Sequence, residues 1–156
     1  VEKPSWAPFV VGGAFPREFT DLLVIAIIGL AGLQAYLTRF TVGGVELGFL
    51  TLFLTVLPTC TLASLSNATR KLREELALFA YGGSAWQVWA KHFLRGFTCS
   101  LIALSPFLSL EIITTGYSVG SRSLLLVLAA VLGGTFYSGP SLRRVRSAEF
   151  AESYKA

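Results

Sequence analysis

The chain has no methionine, one histidine (His92), two cysteines (Cys60 and Cys99), and charge on only 14% of its 156 residues. Each shortage excludes something. A single histidine rules out a paired-imidazole metal site, and neither cysteine has the Cys/His spacing that holds zinc. There is no glycine-rich phosphate loop. The adjacent acids Glu74 and Glu75 point about 100° apart on a helix and do not converge on a substrate. The chain is therefore read as not an enzyme, with no catalytic, metal or cofactor site expected. Both cysteines fall in apolar runs, where a free thiol behaves as a small buried hydrophobe, so they are read as packing residues.

What is abundant is apolar surface. Hydrophobic residues make up 53% of the chain and the mean hydropathy is +0.64. A soluble domain carries roughly a quarter charged residues, so the composition points to a membrane protein. The net charge of +4 then reports orientation rather than nucleic-acid binding. Membrane lipids are expected partners; nucleic acid is not. The chain starts at Val1, read as a removed initiator or leader or as a literally translated start codon. Residues 1–20 lack the basic start and unbroken apolar core of a signal peptide. Their three prolines and Gly12-Gly13 predict an irregular interfacial segment, with Trp6 and Phe9 at the membrane surface.

Windows without charge locate four spans, at about 21–39, 47–66, 93–112 and 122–139, inside a membrane domain covering 21–142. Crossing the hydrocarbon takes roughly 20 helical residues, about 17 at the low end. The third window needs its flank, starting near Trp89 with Lys91 and Arg95 snorkelling to the interface. Four spans put both termini and the second loop on one side. Of the thirteen Lys and Arg residues, only Arg39 and Arg122 then fall on the other, which makes 68–92 and a basic tail at 143–156 cytoplasmic. Glycines 29, 32, 43, 44, 133 and 134 suit close helix approach or turns. Pro58 and Pro106 are read as kinks in packing helices. No charge sits at a span centre, which argues against a proton-coupled carrier. The fold class is all-α: a polytopic membrane protein of four transmembrane helices, with a cytoplasmic elbow helix between spans two and three.

The elbow is the most informative stretch. From Ala68 to Tyr81, Leu72, Leu76 and Phe79 recur at helical spacing, with Arg70, Lys71, Arg73, Glu74 and Glu75 assigned to the wet face. Gly82 falls where a helix ends in the left-handed region. Ser84 and Gln87 form the Ser-x-x-Gln capping box that starts a new helix, and Trp86, Trp89 and Phe93 share one face of it. Two readings stand open: an interfacial anchor, or a docking element for a cytoplasmic partner.

The stretch "EELALFAYGGSAWQVWAKHFLRG" resembles the cytoplasmic segment of FtsX-like permeases, the membrane subunits of MacB-type mechanotransmitting ABC transporters. Setting the family's Glu on Glu74 places its Gly on Gly82, its Ser on Ser84 and its Gln on Gln87 without a gap. Its Phe-Leu then falls on Phe93 and Leu94, and its final Gly on Gly96. Arg95 replaces the usual acid and Phe79 the usual basic residue. The tail "GPSLRRVRSAEFAESYKA" is similar to the family's ending in Pro140, Arg143, Arg144, Arg146, Glu149 and Ala151, without the usual second proline. The resemblance covers most of the membrane portion. The family's large external domain between spans one and two is missing, with only 39–46 in its place.

The resemblance implies that ATP hydrolysis belongs to a separate cytoplasmic ATPase subunit, and that a second permease copy or relative completes the transporter. It makes Glu74, Gly82, Ser84, Trp86, Gln87 and Trp89 the ATPase contact, in a prokaryotic cytoplasmic membrane. The competing expectation is a small accessory subunit, packed among other subunits of a respiratory or photosynthetic complex in an organellar inner or thylakoid membrane. His92 is there a conceivable haem or chlorophyll ligand, but its position beside Lys91 predicts simple hydrogen bonding at the headgroup level.

Overall fold

The computed structural model describes residues 17–116 and 120–146. The irregular segment with Trp6 and Phe9, and the tail residues Glu149 and Ala151, lie outside the described residues. Five helices follow one another: α1 (Arg17–Leu37), α2 (Leu47–Ser66), α3 (Ala68–Ala80), α4 (Ala85–Thr114) and α5 (Ser121–Val145). Between α1 and α2 stands a hairpin of β1 (Thr41–Val42) and β2 (Val45–Glu46), paired antiparallel with Thr41 opposite Glu46. Its turn is Gly43-Gly44, both at positive φ, the two-residue hairpin connection that only such residues form without strain.

Helices α1, α2, α4 and α5 are long and apolar enough to cross a membrane. α1 packs on α2 and α4, and α5 packs on α2 and α4, so the four close a ring in the order α1–α2–α5–α4. Ile28, Leu52, Val56, Leu104, Ala129 and Ala130 fill its centre. Cys60 and Cys99 are buried there as free thiols. Within each span only 28–44% of the residues are buried inside the protein. The remainder is an outward belt including Leu22, Leu30, Leu54, Leu62, Ile102 and Leu124. Water does not tolerate a patch of that extent, whereas lipid does. Hydroxyls on the outer faces stay satisfied within their own helices: Thr55 donates to the Thr51 carbonyl, Thr98 to Leu94 and Thr135 to Val131.

The α4–α5 seam is the tightest. A Cβ at Gly133 would come within 2.1 Å of Ser100 Oγ, and one at Gly96 within 2.4 Å of Tyr137 Cβ. Small residues are what allow these backbones to approach. The prolines do not end helices: α2 continues through Pro58, and α4 through Pro106. The fourth span, expected to end near 139, runs through Pro140 to Val145 and carries Arg143 and Arg144 in its last turn, where cations favour the helix dipole. The third, expected at 93–112, is the apolar part of a helix that begins at Ala85 and ends at Thr114.

On the hairpin side Arg122 gathers four elements. Its guanidinium lies 2.8 Å from Glu111 of α4 and 3.1 Å from Glu46 of β2, and donates to the Ala35 carbonyl of α1 at 2.9 Å. It also stands 5.4 Å from the Phe49 ring of α2. A charge at a span end is thus neutralised inside the protein rather than exposed to lipid.

Candidate functional site

The elbow between α3 and α4 is capped on both sides. At the end of α3 the Gly83 N–H donates to the Leu78 carbonyl at 2.9 Å and the Gly82 N–H to Phe79 at 3.0 Å. Those two bonds make a Schellman motif, with Gly82 at φ +80°, a conformation that a Cβ penalises. Two residues after Gly82, the Ser84 N–H donates to Gln87 Oε1 at 2.9 Å and the Gln87 N–H to Ser84 Oγ at 3.4 Å, the reciprocal capping box. Residues 81–84 are therefore held at both ends by their own backbone chemistry. The Gln87 side chain is occupied by the cap.

Trp86, 68% exposed, stacks on Trp89 with ring centroids 4.5 Å apart, Trp89 on Phe93 at 4.9 Å, and Phe93 on Phe97 at 5.9 Å. The shared face expected for the first three is thus a continuous aromatic ladder, one residue longer than expected. Trp89 is half-buried. It lines a cleft with Ala85, Trp86, Leu142 and Arg146. Tyr81, at the tip of the turn, is 93% exposed. Glu74 reaches across to Lys91 of α4 at 2.9 Å, and Arg95 pairs with Asp21 of α1. Lys91 and Arg95, expected to snorkel, each pair with a carboxylate.

The assignment of Lys71 and Glu75 to the wet face is corrected by the structure: they are 3% and 1% exposed. Four residues apart, they share one face of α3, and that face lies against the bundle. Lys71 Nζ donates to Ser64 Oγ at 2.7 Å and to the Tyr137 carbonyl at 3.3 Å, and sits 3.8 Å over the Tyr137 ring. Glu75 Oε1 lies 3.2 Å from His92 Nε2, and Oε2 lies 3.4 Å from Arg144, which also donates to the Ala68 carbonyl at 3.0 Å. His92, expected at the headgroup level, is 1% exposed beneath α3. Glu75 Oε1 and His92 Nε2 are close without hydrogen-bond alignment, and among the described residues neither Glu75 Oε1 nor His92 Nδ1 has a hydrogen-bond partner.

The polar cluster joins α2, α3, α4 and α5 directly under the elbow. One sequence signal pointed to it. His92 lies on the row Val88, His92, Gly96, Cys99 and Ala103, the row that α4 turns into the core. Among the described residues, no three His, Cys, Asp or Glu side chains converge as a metal site. The elbow is an exposed turn with two exposed aromatic side chains, Tyr81 and Trp86, seated on a buried polar cluster. Compared with models of protein families, with curated proteins and with solved structures, the chain matches none.

Proposed function

We propose that this chain is the membrane (permease) subunit of an ABC-type mechanotransmission complex, in which a separate cytoplasmic ATPase docks on the elbow. The observation that carries the reading is that the capped turn leads without a break into α4, one helix of 30 residues and about 45 Å. A push on the turn is then delivered to the hairpin side, where Glu111 pairs with Arg122, which also holds Glu46. Tyr81 and Trp86 supply the apolar contact area that interfaces concentrate in a few anchors. The likeness of Glu74, Gly82, Ser84 and Gln87 to the FtsX-like pattern supports the same assignment. In the structure those four residues shape the elbow, and Trp86 beside them is 68% exposed. With only a hairpin outside, the output acts on lipid, a small molecule or another membrane partner, and a second permease copy completes the complex.

Affinity purification from native membranes followed by mass spectrometry tests the reading. A nucleotide-binding subunit is expected, and Trp86→Ala should reduce its recovery while leaving thermal stability of the spans unchanged. Recovery of respiratory or photosynthetic subunits with no nucleotide-binding protein would refute the permease and identify an accessory subunit.

A further inference from the structure

We infer that the cleft between the start of α4 and the last turn of α5 binds one anionic phospholipid. The cleft is lined by Ala85, Trp86, Trp89, Leu142 and Arg146: four apolar side chains and one cation, with no acid among them. Arg146 is exposed, and a planar guanidinium is the side chain best matched to a phosphate. Lys91, the nearest cation along α4, is already paired with Glu74.

Beyond the cleft, aromatic side chains continue along α4. Trp86 and Trp89 are the first two rungs of the ladder that continues through Phe93 and Phe97 into the apolar body of the α4 span. The ladder follows the α4–α5 seam, because Gly134 has no Cβ where one would come within 2.9 Å of the Phe93 ring. A cation at the mouth and an aromatic track running toward the membrane centre match the two ends of a single phospholipid, with tryptophans at the interface between them. Free phosphate has no use for the track. A zwitterionic headgroup brings its own cation against Arg146. The occupant is therefore an anionic lipid held by phosphate and acyl chain together. The inference does not depend on an ATPase.

The test uses the full chain with Trp6→Phe, so that emission comes from Trp86 and Trp89 alone, reconstituted into phosphatidylcholine vesicles. Part of the lipid is replaced by phosphatidylglycerol or phosphatidylcholine carrying bromine on the acyl chains, at equal mole fraction. The brominated phosphatidylglycerol should quench as though preferred about fivefold, the selectivity one well-placed cation gives near a membrane surface. Arg146→Gln should bring the preference close to one, and Arg143→Gln, also exposed and one turn back, should leave most of it. Equal quenching by the two lipids overturns the proposal. So does a preference that survives Arg146→Gln, or one that Arg143→Gln removes equally, which is diffuse surface charge rather than a site. A preference present only after residues 148–156 are deleted assigns the cleft to the chain's own tail and likewise overturns it.

Discussion

Replacing Glu75 with Ala should loosen α3 from the bundle without unfolding the spans. Lys71 and Glu75 are the side chains that α3 buries, among those described, so the helix is held down by charge and hydrogen bonds more than by apolar packing. Losing one partner of a buried ion pair costs about 3–5 kcal/mol, because the other charge is left uncompensated. Here the figure is smaller. Arg144 is 21% exposed and keeps its bond to the Ala68 carbonyl, which leaves about 2–3 kcal/mol. That corresponds to local opening about 30- to 150-fold more frequent.

Hydrogen exchange of the protein in lipid nanodiscs reads this directly, through the peptides covering 70–80. Glu74→Ala is the internal control. The Glu74–Lys91 pair is 25% and 44% exposed, a class worth about 0.2–1 kcal/mol, so its loss should change exchange by about fivefold or less. If α3 exchange in Glu75→Ala stays within about threefold of the parent, the buried cluster does not hold the helix. If protection falls equally across α4 and α5, the cluster belongs to the global fold rather than to the elbow.

In a background with Cys60 and Cys99 replaced, Thr41→Cys should label with an impermeant maleimide from outside intact cells and Arg73→Cys should not, since the hairpin and α3 occupy opposite ends of the spans; the reverse pattern inverts the orientation. Gly82→Ala should cost about 1–2 kcal/mol at the end of α3, seen as faster exchange confined to 78–84, and unchanged exchange there would remove the need for a left-handed residue. Gly133→Ala drives a methyl onto Ser100 Oγ and should destabilise the bundle by about 1–3 kcal/mol, measured as a lower melting temperature in detergent, with an unaltered melting temperature showing that the α4–α5 seam has slack.

The spans and the caps were legible in the residues because both are local. A window free of charge and about 20 residues long has few other uses, and α1, α2, α4 and α5 overlap the expected windows, with α4 starting earlier and α5 ending later than expected. Gly82 and the Ser84/Gln87 pair act on backbone groups within a few positions of themselves, so the turn between α3 and α4 follows from its own sequence. The hairpin at Thr41-Val42 and Val45-Glu46 was not legible in the sequence, in which Gly43 and Gly44 indicate only close helix approach or a turn. What only the tertiary structure decided is where the charges go. Helical spacing shows that Lys71 and Glu75 share a face, but not that the face turns inward. That depends on Ser64, His92, Tyr137 and Arg144, carried by three other helices. Arg122, Glu111, Glu46 and the Ala35 carbonyl meet in the same way on the hairpin side. A charged side chain near a span end has two low-energy outcomes, headgroup water or a buried opposite charge. The choice rests on partners far away in the chain, brought within hydrogen-bond distance only when the ring of helices closes.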